Sequence, residues 1–584
     1  MSHCCIKGKG WTRIRASAGG VVIGVALLIA LVPGAVGQTL GPPSVPLGTP
    51  LSRDVGAPAL APGFSPAQPK EPSFTQPPPD TAPVAPVAPG PRIMVREIRL
   101  SGNTIFSSEE LAQVTAPYVG RAINMVDLEA ARRSLTLHYV NRGYVNSGAL
   151  IPDQKVEDGI VRMEIIEGVL ADIDISGNER LRSAYVAERL GLGAGPPLNV
   201  NDLQEQMQIL LQGPFIKRIN AELAPGDRPG EARLSAQIEE GARYRNSFAI
   251  DNDVSPSLGE VHGVYRGAVY NLTGRGDVLS GQLDLAGGLS EVSVNYGVPL
   301  NANDLTMDVH LRLSETEVVE DPFDVLDIEG QGRTLALRLS QPVLRTPNQQ
   351  LTLAGGLDLR QSISTLLGER FSFSPGVPSD GEVQLSVLRF IQDWNTRSRT
   401  RVLALRSTLS LGIDAFDATT NGGDLPSGEF FAWLAQLQFL QRFGENGNEL
   451  FARLDAQWTD DPLFGPEQFA VGGLYSVRGY RKNLVVRDKG YSGTLELRLP
   501  VMRDETGQAK FTLIPFFDIG SAWFNKRDTP DPETVSSAGL GLRWQLDPRL
   551  RAEVFYAHAM EDVPNKGNDL QDDGIHFALT ATLD

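Results

Sequence analysis

Cysteine is nearly absent from the chain. Two residues in 584, Cys4 and Cys5, stand side by side at the N-terminus. A disulfide framework and thiol chemistry are therefore excluded for everything after them. Histidine is scarce as well, and His3, His138, His262, His310, His558 and His576 show no metal-ligand spacing,. No glycine loop carries the lysine that a nucleotide phosphate needs. Positive charge is outnumbered, 53 Lys and Arg against 70 Asp and Glu, giving a formal net charge of −17. A general nucleic-acid binder needs a basic footprint that this chain lacks. Mean hydropathy is −0.14, too low for several membrane-spanning helices,. These absences point away from an enzyme and away from a cofactor, a metal or a nucleic-acid partner.

What is present is unevenly distributed. Lys7, Lys9, Arg13 and Arg15 precede an apolar run, Val21 to Val32, and the small residues of Pro33 to Gly37 follow. Basic, apolar, then small is the order of a secretory signal peptide, so residues 1–37 are expected to be removed. The apolar run is short for a membrane span. Cleavage after Gly37 would remove both cysteines and four basic residues, taking the charge from −17 to −21. Residues 38–91 read as a linker, because 16 of the 51 positions from 41 to 91 are proline and no helix can propagate there,.

Past Pro91 the pattern repeats with a period of about 75 residues. Ile93–Leu100 reads as a strand and runs into Ser101-Gly102-Asn103. Helices are expected from about Ser107 and over Asp127–Asn141, then strands over Tyr144–Ile151 and Ile160–Ile166,. The second copy has a strand at Ile173–Ile175 and the same tripeptide, Ser176-Gly177-Asn178. Helices at Ser183–Leu190 and Asn201–Leu211 and strands at Phe215–Leu223 and Ala232–Glu239 complete it. Both copies read β-α-α-β-β, a small α+β unit with helices on one sheet face. Its free sheet edge could accept an extended peptide.

From Tyr244 the helical period disappears and alternation takes over. In Phe431–Phe439 the odd positions are apolar; Leu450–Trp458 and Ile575–Leu583 behave alike. Alternation alone fits a soluble sandwich as well as a membrane barrel. Three features favour the barrel. Charges lie inside strand candidates (Arg453, Asp455, Glu496, Arg498, Arg551 and Glu553), where a polar lumen would accept them. Trp433, Trp458, Trp523 and Trp544 sit near strand ends, and a signal peptide precedes a cysteine-free chain. About 340 residues at roughly 21 per strand and loop give about 16 strands.

The order of these parts, with Val477-Arg478-Gly479-Tyr480 after Gly472-Gly473 and before Asp488-Lys489-Gly490, resembles the outer-membrane translocators of two-partner secretion. These form the hemolysin secretion/activation family of the Omp85 superfamily. Phe516-Phe517-Asp518-Ile519-Gly520 is similar to the family's barrel-wall motif. Asn271–Asp277, Tyr296–Leu300 and Gln341–Leu344 resemble further recurrent pieces.

The resemblance implies two periplasmic POTRA domains, residues 92–168 and 169–241, and a 16-stranded outer-membrane barrel over 242–584. It implies a lumen loop carrying Val477, Arg478, Gly479 and Tyr480, whose arginine pairs with Asp518 between Phe516 and Gly520. It also implies the partners: a large secreted β-helical exoprotein, outer-membrane lipids and the barrel-assembly machinery. An alternative within the same superfamily is a factor that inserts other barrels. Two features depart from the family pattern. Prolines interrupt every candidate for a plug helix between Gln38 and Pro91, so either the plug is absent or residues 38–91 block the pore as an irregular plug; and the last residues, Thr582-Leu583-Asp584, are not aromatic.

Overall fold

The two repeats fold as two separate small cores. The computed structural model describes residues 72–75, 92–564 and 566–583; the expected signal peptide and any plug between Gln38 and Pro91 lie outside the described residues, apart from 72–75. In the first POTRA domain, helices Ser108–Thr115 and Met125–Val140 cover a sheet ordered Glu97–Ser101, Ile160–Ile166, Gly148–Leu150. Ser107 caps the first helix, and Asn124 and Asp127 form a reciprocal capping box on the second,. Leu111, Leu128, Leu135 and Tyr139 bury their side chains against Val161, Met163 and Ile165.

The strand expected over Ile93–Leu100 is split at Arg96. The amides of Arg96 and Glu97 both donate to the carbonyl of Gly159, and this bends the chain. Ile93–Val95 then pairs with Arg121–Ile123, while Glu97–Ser101 pairs with Ile160–Glu164.

The second POTRA domain repeats the design with helices Ser183–Gly191 and Val200–Gln212 on strands Val169–Ser176, Glu231–Glu240 and Ile216–Pro225. The repeated Ser-Gly-Asn has a physical reason. Gly102 and Gly177 sit at φ +85° and +78°, where a Cβ would lie 2.3 Å from the Ile165 carbonyl oxygen and 2.4 Å from that of Ile238,. Asn103 and Asn178 then close the turn by donating to the carbonyls of Phe106 and Leu181. A glutamate missed in the sequence completes each copy. Glu167 accepts from the amides of Thr104 and Ile105, and Glu240 from those of Glu179, Arg180 and Leu181.

Three linker residues form a strand after all. Ser73–Thr75, between Pro72 and Pro77, pairs in parallel with Asn220–Glu222 and sets Phe74 on the second core. A gap in the prolines permits an edge strand.

Sixteen long antiparallel strands follow and close on themselves, with one extra two-residue strand, Glu369–Arg370, in a loop. The first strand, Tyr244–Asp251, meets the last, Ile575–Leu583, over the six pairs from Asn246↔Leu583 to Asp251↔Ala578. Alternation here is inverted relative to a soluble sandwich. Leu335, Leu337 and Leu339 point outward at close to half exposure, while Thr334 and Ala336, on either side of Leu335, are buried. Apolar side chains outside and polar ones inside suit lipid around a wet lumen. Trp433, Trp458 and Phe431 mark one rim; stacked Phe511 and Trp544 mark the other. No helix among the described residues is long and apolar enough to cross a membrane; strands make the crossing.

The second POTRA domain sits against the barrel turns. The Arg182 amide donates to Gly274, and the Tyr185 ring occupies the space a side chain at Gly276 would need. Arg189 forks onto Asp304 (3.0 and 2.5 Å), which Arg345 of the barrel also holds. The recurrent Asn271–Asp277 piece is thus a docking turn.

Candidate functional site

The chain between the eleventh strand, Asn448–Trp458, and the twelfth, Lys489–Arg503, does not stand clear of the barrel. It carries a short hairpin of its own, Phe469–Val471 with Val485–Arg487. Its tip is packed inside the lumen. Val477 and Tyr480 are buried with Phe469, Val471, Val485, Ala522 and Val535, and Leu474 with Ile514, Phe516, Phe555 and Ala557.

Arg478 lies at the centre, with its side chain 3% exposed. Its Nε donates to Asp518 Oδ2 at 2.7 Å and its Nη2 to Asp518 Oδ1 at 2.8 Å, a bidentate fork,. The third donor, Nη1, reaches Glu496 Oε1 at 2.9 Å, and the backbone amide adds a bond to Asp518 Oδ2 at 3.1 Å. The guanidinium also lies 3.6 Å from the Phe516 ring centroid and 4.9 Å from that of Phe555. A lysine could not supply this planar set.

The wall motif is explained by alternation on the thirteenth strand, Ala509–Trp523. Phe516, Asp518 and Gly520 face inward and Phe517 outward. Phe516 stacks, Asp518 pairs, and Gly520 leaves room: a Cβ there would come within 2.5 Å of Val471 and 3.0 Å of Val477. Gly479 has φ +88° and packs on Ala557, while Tyr480 donates its hydroxyl to the Ser536 carbonyl and to Glu561 at 2.9 Å.

All six of the charges expected in the lumen face inward, and they pair with one another. Arg453 donates to Asp455, which also takes Gln436; Arg498 donates to Glu496. Glu553 receives Arg543 at 2.5 Å and lies 3.8 Å from Arg551. Glu496 therefore bridges the loop arginine to the wall arginine.

Several contacts had no signal in the sequence. The Gly479 amide donates to Nε2 of His576 on the last strand, at 2.9 Å, so that nitrogen carries no proton in this arrangement,. Leu474 and Lys482 both bond Asp253, just past the first strand. Arg481 bridges Glu320 and Asp572. Near its start the loop puts Glu467 between Arg360 and Arg389.

Comparison with known proteins accords with this architecture. Residues 230–544 match the family described as haemolysin secretion/activation protein ShlB/FhaC/HecB, and residues 93–168 match the ShlB-type POTRA domain. The outer membrane transporter CdiB of Dickeya dadantii is 24% identical over 78% of this chain and 81% of its own. The heme/hemopexin transporter protein HuxB of Haemophilus influenzae is 24% identical over 74% and 78%. Among solved structures, CdiB from Escherichia coli superposes with a TM-score of 0.65 at 21% identity, covering 87% of this chain and 94% of that one. BamA from Haemophilus ducreyi, lacking its first three POTRA domains, reaches 0.52 at 14% identity, covering 84% and 100%. With more than half its length matched by one family, the chain belongs to the haemolysin secretion/activation proteins, the two-partner secretion translocators of the Omp85 superfamily, whose barrel lies in the outer membrane and whose POTRA domains lie in the periplasm.

Proposed function

We propose that this chain exports one large, unfolded, β-helical exoprotein, taking it up through the POTRA domains and passing it through the barrel lumen to the cell surface or medium. The observation that carries the reading is the loop folded through the lumen and pinned by Arg478 to Asp518 and Glu496. A barrel of sixteen strands is wide enough to conduct, and here a segment of its own chain stands in the way. Val477, Arg478, Gly479 and Tyr480 form the gate, and Phe516, Asp518 and Gly520 its seat.

In this reading the client adds as a strand to a POTRA sheet edge. The edge at Ile216–Pro225 is reached by displacing Ser73–Thr75, a cover only three pairs long. The loop then loosens, and Arg453, Asp455, Glu496, Arg498, Arg551 and Glu553 give the passing backbone a polar wall. No bond is made or broken in transport, so the chain acts without enzymatic activity or cofactor. Folding of the client outside supplies direction. Outer-membrane lipids surround the apolar band, and the barrel-assembly machinery inserts the chain during biogenesis.

A second reading, insertion of other barrels, draws on the fold shared with BamA. Quantitative mass spectrometry of culture medium and surface fractions separates the two, comparing host, gene deletion and complemented strain. Selective loss of one large protein, restored on complementation, is the outcome expected of a dedicated translocator. Unchanged secretion with a general loss of outer-membrane barrels would favour insertion instead.

A further inference from the structure

The lumen loop is held at a second place, well before the Arg478 tip. Glu467, in the short helical turn Gly465–Glu467, is 5% exposed and accepts from two arginines on the barrel wall. Arg360 Nη1 reaches its Oε1 at 2.6 Å, and Arg389 Nη2 reaches Oε1 at 2.8 Å and Oε2 at 3.1 Å. Asp358 completes the group, receiving Arg389 Nε at 2.9 Å and Arg360 Nη2 at 3.3 Å. Arg360 also bonds the Pro466 carbonyl. These wall residues lie on the seventh and eighth strands, Gln349–Leu366 and Glu382–Arg397, in a different sector from the strands that hold the tip.

The two attachments have opposite polarity. At the tip the loop offers a guanidinium to wall carboxylates; at its base it offers a carboxylate to wall guanidiniums. Each group is balanced in charge, with Arg360 and Arg389 against Asp358 and Glu467 at the base, and Arg478 and Arg498 against Asp518 and Glu496 at the tip. Each also has its own apolar seat. Leu463 and Phe464 pack on Val383, Leu385, Val387, Phe430 and Ala432, a cluster that shares no member with those around Val477 and Leu474. Separate seats and separate charge groups share no partner, the condition under which two attachments act independently,.

We propose that Glu467, held by Arg360, Arg389 and Asp358, is a positioning residue that fixes the pivot of the loop. Release of Arg478 then swings the tip while the segment Leu463–Glu467 stays on the seventh and eighth strands. That sector of the lumen remains blocked, and the first aperture opens beneath the twelfth to sixteenth strands. The full aperture needs both attachments broken. The inference rests on the loop's role as a gate but is tested without any client, so failure of the export reading is seen separately.

The test uses the full chain in intact cells. Its remaining cysteines, Cys4 and Cys5, precede the expected cleavage point, so single cysteines can be introduced at Leu463→Cys near the base or Ser476→Cys near the tip, both buried. Labelling with a membrane-impermeant maleimide is followed in each background. Glu467→Gln should speed labelling at 463 by roughly tenfold or more, the effect of losing charge-assisted hydrogen bonds, and leave 476 protected. Asp518→Asn should do the reverse. Combining the two should give a larger single-channel conductance than either alone. Heat-modifiable electrophoretic mobility checks that the barrel has folded. Should Glu467→Gln fail to assemble, Arg389→Gln leaves Arg360 on the carboxylate and should give the same selectivity for position 463. Equal acceleration at 463 and 476 in either variant would mean one concerted release and would overturn the pivot. Continued protection of 463 in Glu467→Gln would do so as well.

Discussion

Removing the guanidinium of Arg478 should free the loop tip without unfolding the barrel, and the size of the effect can be worked out from the contacts. Arg478→Ala leaves Asp518, fully buried, with no arginine, and leaves Glu496 with Arg498 alone. Deleting one partner of a buried ion pair costs about 3–5 kcal/mol. At about 1.4 kcal/mol per decade, tip opening becomes more frequent by roughly two to three and a half orders of magnitude. Arg478→Lys keeps one charge but loses the fork and the stacking on Phe516, so it should fall below this range while remaining well above wild type,. Asp518→Asn leaves Arg478 paired with Glu496 and should be milder still. Native-state hydrogen exchange reads these openings directly. The amides to follow are Leu474, bonded to Asp253, and Gly479, bonded to His576. Exchange there should accelerate in the order Asp518→Asn, Arg478→Lys, Arg478→Ala, with the barrel strands unchanged. Wild-type exchange at Gly479 in Arg478→Ala, or a uniform rise across all strands, would refute the reasoning.

Three further outcomes follow from the same contacts. Gly479→Ala puts a Cβ at φ +88° and 3.0 Å from the Ala557 Cβ, which should cost about 1–2 kcal/mol and raise tip exchange without altering POTRA exchange,. Asp304→Ala leaves Arg189 and Arg345 facing each other, so the second POTRA domain should detach from the turns; faster limited proteolysis around Gly241–Arg243 would show it. Glu167 is half-buried, which opposes its ionisation, but bonds from Ile105, Thr104 and Tyr139 outweigh burial and hold its carboxyl below the usual glutamate range. A carboxylate depressed in the folded state stabilises fully above the unfolded value and loses that contribution as pH falls through the folded one. Protection of the Thr104 and Ile105 amides should therefore decline below about pH 4.5 in wild type and be weak at all pH in Glu167→Gln.

The strands were legible because alternation survives whichever way the sheet faces. Alternation alone did not give their orientation; the charges within the strands, Arg453, Asp455, Glu496, Arg498, Arg551 and Glu553, pointed to it. Phe431 and Trp433 are as apolar as a sandwich core requires, yet both are about two-fifths exposed on the outer surface. Closure of the sheet around a lumen makes that apolar face the outer one. The tip was readable only through resemblance: the short motifs around Arg478 and Asp518 are similar to the family's, and that similarity implied a pairing across 40 positions. Glu467 and Arg360 are separated by 107 positions in chain and joined by barrel closure alone, so no local pattern could have announced them. The same holds for Gly479 and His576, 97 positions apart. The linker strand was missed for a different reason: proline density forbids a helix or a central strand but says little about a three-residue edge.

The chemistry of the loop's attachments suits a gate better than a purely apolar plug would. A plug burying about 400 Å² of apolar surface would cost about 10 kcal/mol to withdraw into water. Ion pairs behave differently, because their desolvation offsets most of their attraction. Once the lumen is wet, Arg478, Asp518 and Glu496 recover their hydration, so the closed and open states can lie close in free energy. Salt should then act with a definite sign. Ions reach the separated charges of the open state but hardly touch the buried pair, so raising ionic strength should favour opening. In planar bilayers the fraction of time spent open should rise between 0.1 and 1 M salt in wild type, beyond the scaling of conductance with bulk salt. In Arg478→Ala, where the pair is already broken, that dependence should be much weaker. An open fraction independent of salt in wild type would place the closing energy in the apolar seat of Val477 and Tyr480 and not in the charges.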